Sequence, residues 1–197
     1  MFAIMLLVLV SGFLNSLATA RAAVLFDFGW KHRNGLHTWA GPDDRPPANP
    51  DPGNNPVEAQ VEYNDSDWEL VHLPHDGLVG AAPSLKACPL TLTGGGCSGY
   101  SFIPWNVLWH RKKFSVPAAW RSCAVWLDFE GSFRNTTVWI NGENISSHDC
   151  GYTPFRVRLG NVTSIKCGAT NVVSVFVDPA NGDMGSIDHG SGWWYEG

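Results

Sequence analysis

Three aromatic residues in a row, Trp193-Trp194-Tyr195, follow two carboxylates, Asp183 and Asp188, near the end of the 197-residue chain. Flat aromatic faces stack on the apolar faces of sugar rings, and carboxylates accept hydrogen bonds from sugar hydroxyls. The chemistry this set offers is carbohydrate binding. Neighbouring residues of a strand face opposite sides, so the three rings cannot all enter one core. The competing reading places Trp194 in the core and its neighbours against another domain. A second candidate is His72-x-x-His75-Asp76. Two imidazoles and a carboxylate could hold a metal, but Pro74 bars the helix that would align them. A turn in which Asp76 accepts backbone donors accounts for the segment better. No metal and no cofactor is therefore expected. Gly94-Gly95-Gly96 lacks the Lys-Ser/Thr and the following helix of a phosphate loop, and His189-Gly190-Ser191-Gly192 has no triad context.

The elements that would position these residues are strands. Cys123, Val125, Leu127 and Phe129 alternate with Ser122, Ala124, Trp126 and Asp128, a period of two that sets one face against a core. Thr136, Val138 and Ile140 alternate likewise with Thr137 and Trp139, and Asn141-Gly142 then predicts a two-residue hairpin, because both residues tolerate positive φ. Strands are also expected at residues 24–28, 59–63, 68–73, 107–116, 155–159 and 171–177, with Val173, Val175 and Val177 on one face. Pro74 closes the 68–73 strand. No amphipathic helix of more than two turns is evident outside the N-terminus. Short strands separated by turn signals argue for an all-β sandwich.

The wording of these strands is more specific. Leu73–Asp76 reads Leu-Pro-His-Asp. Trp109, Arg111, Lys112 and Phe114 form Trp-x-Arg-Lys-x-Phe. Phe129-Glu130-Gly131, then residues 137–142, His148 and residues 151–155, follow in order, and Trp194, Tyr195 and Gly197 close the series. Together they resemble the N-terminal sugar-binding domain of glycoside hydrolase family 2, nearest its β-galactosidase branch. The resemblance implies a jelly roll (a galactose-binding-like sandwich) over residues 21–197. It also implies immunoglobulin-like and barrel domains further along the same enzyme. Glycosidases use a pair of carboxyls about 5–5.5 Å apart for retention and about 6.5–9.5 Å for inversion. The family carries both in the barrel, with the acid in an Asn-Glu dipeptide that this sequence lacks. No catalytic residue is therefore assigned here. The resemblance marks His75, Asp76, Asp188, Trp193, Trp194 and Tyr195 as candidate substrate contacts. The position of Trp193 is often charged in the family, so a polar sugar contact there is not expected.

Composition bounds the partners. The net charge is −5 and charged residues make up 16%, which gives no basic surface for nucleic acid. The basic run 110–113 reads as a solvated strand face. Residues 2–10 are apolar and Ala18-Thr19-Ala20 is a small-x-small cleavage pattern, so residues 1–20 read as a secretory leader, though without a Lys or Arg before the apolar run. A buried N-terminal helix or a signal anchor is the alternative. The run is shorter than the ~20 residues that span a bilayer, so no membrane association is expected after cleavage and the product is secreted or lumenal. Sequons at Asn64, Asn135, Asn144 and Asn161 fit export. Five cysteines in an oxidising compartment suggest two bridges and one free thiol. The expected pairs are Cys88–Cys97 and Cys150–Cys167, with Cys123 buried and unpaired. No Cys-x-x-Cys spacing supports zinc. Residues 41–56 hold six prolines and read as an exposed loop within the domain. Residues 74–106 form a second long loop, of a length usually tied to function.

Two readings of function follow. One is the non-catalytic sandwich of a secreted β-galactosidase-like enzyme, supporting its barrel and helping to shape the sugar pocket. The other is a free-standing lectin-like module, binding oligosaccharide through residues 193–195 or the 74–106 loop. A secreted scaffold without a ligand is a weaker third.

Overall fold

The computed structural model describes residues 3–10, 20–34, 55–77 and 107–178, with backbone alone for residues 3–10 and 20–22. Ten strands are present among them: β1 (Ala3–Val10), β2 (Ala20–Leu25), β3 (Trp30–Asn34), β4 (Glu69–Val71), β5 (Leu108–Ser115), β6 (Ala124–Gly131), β7 (Thr136–Ile140), β8 (Glu143–His148), β9 (Phe155–Arg158) and β10 (Thr170–Val177). They form a four-stranded sheet in the order β2-β1-β6-β9 and a six-stranded sheet in the order β4-β3-β5-β10-β7-β8. Every ladder between these strands is antiparallel. No helix among the described residues is long and apolar enough to cross a membrane.

The two sheets share one core. Val125, Leu127 and Phe129 of β6 and Val157 of β9 meet Leu108 and Phe114 of β5, Val138 and Ile140 of β7, and Val173, Val175 and Val177 of β10. These are the faces that the period of two assigns, and the all-β sandwich is the architecture observed. Each large aliphatic buried there stabilises the fold by roughly 1.5–3 kcal/mol. Asn141 and Gly142 have φ of 51° and 86° and close the β7–β8 hairpin, in which Ile140 opposes Glu143.

The outer face of the six-stranded sheet is also buried. Trp109, Trp139 and Phe176, which alternate with core residues, pack with Ala59, Trp68 and Val107 in a second apolar cluster. Its cover is the segment 55–68. Residues 59–63, expected as a strand, instead follow a 3-10 turn at Val57–Ala59. The Ala59, Gln60 and Tyr63 amides donate to the Pro56, Val57 and Gln60 carbonyls at 3.1, 3.1 and 3.2 Å, so they are spent on local turns rather than on a ladder.

One further expectation changes. The run 110–113 is not a solvated face: His110 and Arg111 are fully buried. Arg111 Nε donates to Asp65 Oδ2 at 3.0 Å, and its Nη1 reaches the Ser174 hydroxyl and the Glu58 and Gln60 carbonyls. Lys112 Nζ donates to the Phe26 and Phe28 carbonyls at 2.6 and 2.7 Å. The strand is central, so Arg111 and Lys112 are bonded by segments that fold over it, while Lys113 stays exposed. The residues read as a leader also have a place in the fold, since Ala3–Val10 lies as a strand between β2 and β6.

Candidate functional site

The segment that follows β4 carries Leu-Pro-His-Asp across the end of the six-stranded sheet. Val71 and Leu73 are buried, and the Leu73 amide donates to the Asp27 carbonyl at 2.8 Å. The Leu73–Pro74 peptide is cis. At Gly77 the chain presses on the sheet. A Cβ there would stand 2.6 Å from Leu108 Cδ2 and 3.2 Å from His32 Cε1, so no larger residue fits without displacing Leu108.

This passage lays His75 against two histidines of the sheet. His32 of β3 and His110 of β5 are directly paired positions of neighbouring strands. Their rings lie 4.6 Å apart, and those of His32 and His75 lie 4.5 Å apart. His75 Nδ1 is 3.1 Å from His110 Nε2. His32 and His110 are buried and His75 is half-buried. The His32 ring is oriented by Asn34, whose Oδ1 lies 3.1 Å from His32 Nε2.

Burial dominates the electrostatics of the three. It lowers His32 to about 4, helped by repulsion from His75 and opposed by the Asn34 hydrogen bond and the Trp109 backbone. It holds His110 well below the ordinary histidine value, with His32 and His75 adding to the effect. His75 is lowered by desolvation too, against the opposing pull of Glu69 and Asp76. All three imidazoles are neutral at pH 7, so each offers a nitrogen lone pair.

His72 and His75, weighed in the sequence as a pair, point to different surroundings. His72 Nδ1 accepts from the Gly29 amide at 3.1 Å, and its ring meets Phe28 edge-on at 5.3 Å. Asp76 is half-buried beside His75. Asp188, Trp193, Trp194 and Tyr195 lie outside the described residues, as do Cys88 and Cys97. Sequence reasoning missed His32 and His110: they stand 43 and 35 positions from His75, and no local pattern connects them.

The remaining expected sites fall as follows. Asn64 and Asn144 are exposed, whereas Asn135 is half-buried and its amide donates to the Asp178 carbonyl at 3.3 Å. The Asn161 side chain lies outside the described set. Cys123, Cys150 and Cys167 are free thiols, which corrects the expected Cys150–Cys167 bridge. Cys167 pairs with Val116 beside the start of β10. Cys150 follows His148, opposite Thr136, which pairs with Val177 at the far end of β10. An eight-residue strand at about 3.3 Å per residue separates them by roughly 25 Å, far beyond the ~7 Å over which two Cα atoms can be bridged.

The chain is 32% identical over 139 residues to β-galactosidase BoGH2A of Bacteroides ovatus, an alignment that takes in 71% of this chain and 14% of that protein. It is 27% identical over 124 residues to a putative β-glucuronidase of Formosa agariphila, covering 63% of this chain and 11% of the relative. A crystal structure of a glycosyl hydrolase family 2 member from Bacteroides cellulosilyticus superposes with a TM-score of 0.54 at 22% identity, over 80% of this chain and 18% of that one. That likeness shows the fold. No family model matches the chain. The chain thus spans about a seventh of the length of the first of these relatives.

Proposed function

We propose that this chain, which belongs to glycoside hydrolase family 2 by the sequence and fold it shares with those enzymes, acts as the N-terminal non-catalytic sandwich of a secreted β-galactosidase-like glycosidase. In that role it supports a catalytic barrel further along the same polypeptide and helps to shape the sugar pocket. The observation that carries the reading is the alignment with a β-galactosidase about seven times as long as the matched stretch. A domain of that share fits one structural module of a larger hydrolase. The ordered set of sugar-binding-domain motifs from Leu73 to Gly197 supports it as well. The candidate sugar contacts are His75 and Asp76 on the segment after β4, with Asp188, Trp193, Trp194 and Tyr195 downstream. The reading includes export through residues 1–20 and glycans at the exposed Asn64 and Asn144.

A chromogenic galactoside assay tests the division of labour. The chain alone is expected to give no turnover, and a polypeptide extended through the barrel is expected to hydrolyse the substrate. Turnover by the chain alone overturns the proposal. Galactose titration followed by tryptophan fluorescence separates the lectin-like alternative: a saturable response by the isolated chain favours it, and silence leaves the supporting role.

A further inference from the structure

We propose that His32, His75 and His110 form a binding site for a divalent transition-metal ion of the zinc class. The donor atoms of the three side chains all lie within 4.8 Å of one another. Around a tetrahedral ion with metal–nitrogen bonds of about 2.0–2.1 Å, two ligand nitrogens stand roughly 3.3 Å apart. His75 Nδ1 and His110 Nε2, at 3.1 Å, are already near that spacing. Small ring rotations would bring the third donor in.

The scaffold suits the task. His32 and His110 occupy opposed positions of one ladder, so the sheet sets their separation. His75 arrives on a segment held down by the close approach of Gly77 to Leu108. Asn34 serves as an outer partner. Its Oδ1 lies 3.1 Å from His32 Nε2 and orients the ring, and the other ring nitrogen, Nδ1, is buried. Metal-binding histidines are commonly held in this way through their second nitrogen. Three imidazole donors favour zinc, copper or nickel over the oxygen-seeking magnesium and calcium. His75 is half-buried, which leaves a solvent-facing side for a fourth ligand. The ion would fasten the Leu-Pro-His-Asp segment to β3 and β5.

The test uses the whole chain, stripped with a chelator and titrated with Zn²⁺ against a chromophoric competitor, with Co²⁺ as the spectroscopic probe. The expected result is one ion per chain. Visible d–d bands of a nitrogen-ligated site should appear, with no sulfur-to-cobalt charge transfer. His75→Ala, at a half-buried position that keeps the sheet intact, should weaken binding by more than the ~10–100-fold typical of losing an outer-shell partner. His72→Ala should leave it unchanged. A thiolate charge-transfer band, equal binding by wild type and His75→Ala, or no binding by either overturns the proposal. Circular dichroism of each variant shows that any loss is not unfolding.

Discussion

Arg111 Nε donates to Asp65 Oδ2 at 3.0 Å with the arginine side chain entirely out of water and the aspartate nearly so. The pair joins the central strand β5 to the turn that roofs the outer face of its sheet. Removing one partner of a buried pair leaves an uncompensated charge. Asp65→Ala is expected to cost about 3–5 kcal/mol. Arg111→Met, which removes the charge and keeps much of the volume, should cost less. Urea denaturation of the two variants checks the order, and equal losses would count against it.

Stability should depend on pH through the three histidines. In chelator-treated protein they are neutral when folded, with His32 lowered to about 4, and they regain an ordinary value near 6.5 when unfolded. The unfolded state therefore binds more protons between those values, so stability rises with pH across the window and is lost as pH falls from about 6.5 towards 4. Each histidine that titrates fully contributes about 1.4 kcal/mol per pH unit. Denaturation midpoints at pH 7, 6 and 5 should fall steeply in the wild type and less steeply in His110→Phe. Parallel profiles would contradict this account.

The β7–β8 hairpin turns on left-handed backbone at Asn141 and Gly142. Gly142→Ala should cost about 1–2 kcal/mol for the φ of 86° alone. It would also press a Cβ to 2.9 Å from Gln60 Oε1, at the far end of a side chain whose Nε2 bonds Asn55 and the Pro56 carbonyl. A thermal midpoint shift of roughly 2–4 °C per kcal/mol is the expected reading.

The thiols offer a chemical check. Cys150 is exposed, and hydrogen bonds from the backbone of Tyr152, with the Thr153 hydroxyl and amide, lower its pKa. It should alkylate before the half-buried Cys123 and Cys167. Peptide mapping without reduction should find no Cys150–Cys167 link, and such a link would require a different arrangement of the sheet ends.

Much of the sandwich could be read in advance, and the reason is local. In β6, β7 and β10 the inward positions are Val, Leu, Ile or Phe at every second residue, and Asn141-Gly142 names its own turn. β3 escaped notice because its inward residues are Trp30 and His32, and polar Lys31, Arg33 and Asn34 fill the rest of the strand. The burial of Arg111 was invisible because its partners lie 46 to 63 positions away. The histidine cluster was hidden for the same reason. The spacing of His72 and His75 suggested a pair, whereas the sheet recruits His75 alone and completes the set from β3 and β5.

The position of Ala3–Val10 bears on maturation. Its backbone lies between β2 and β6, so proteolysis that released residues 1–20 on export would split the four-stranded layer and strip β6 along one side. Unclaimed amide and carbonyl groups would then run the length of Ala124–Gly131, above a trough no wider than one extended chain. Such a vacancy is a template for β-augmentation, and the ripened protein would have to fill it with a strand from elsewhere or shield it from its own copies.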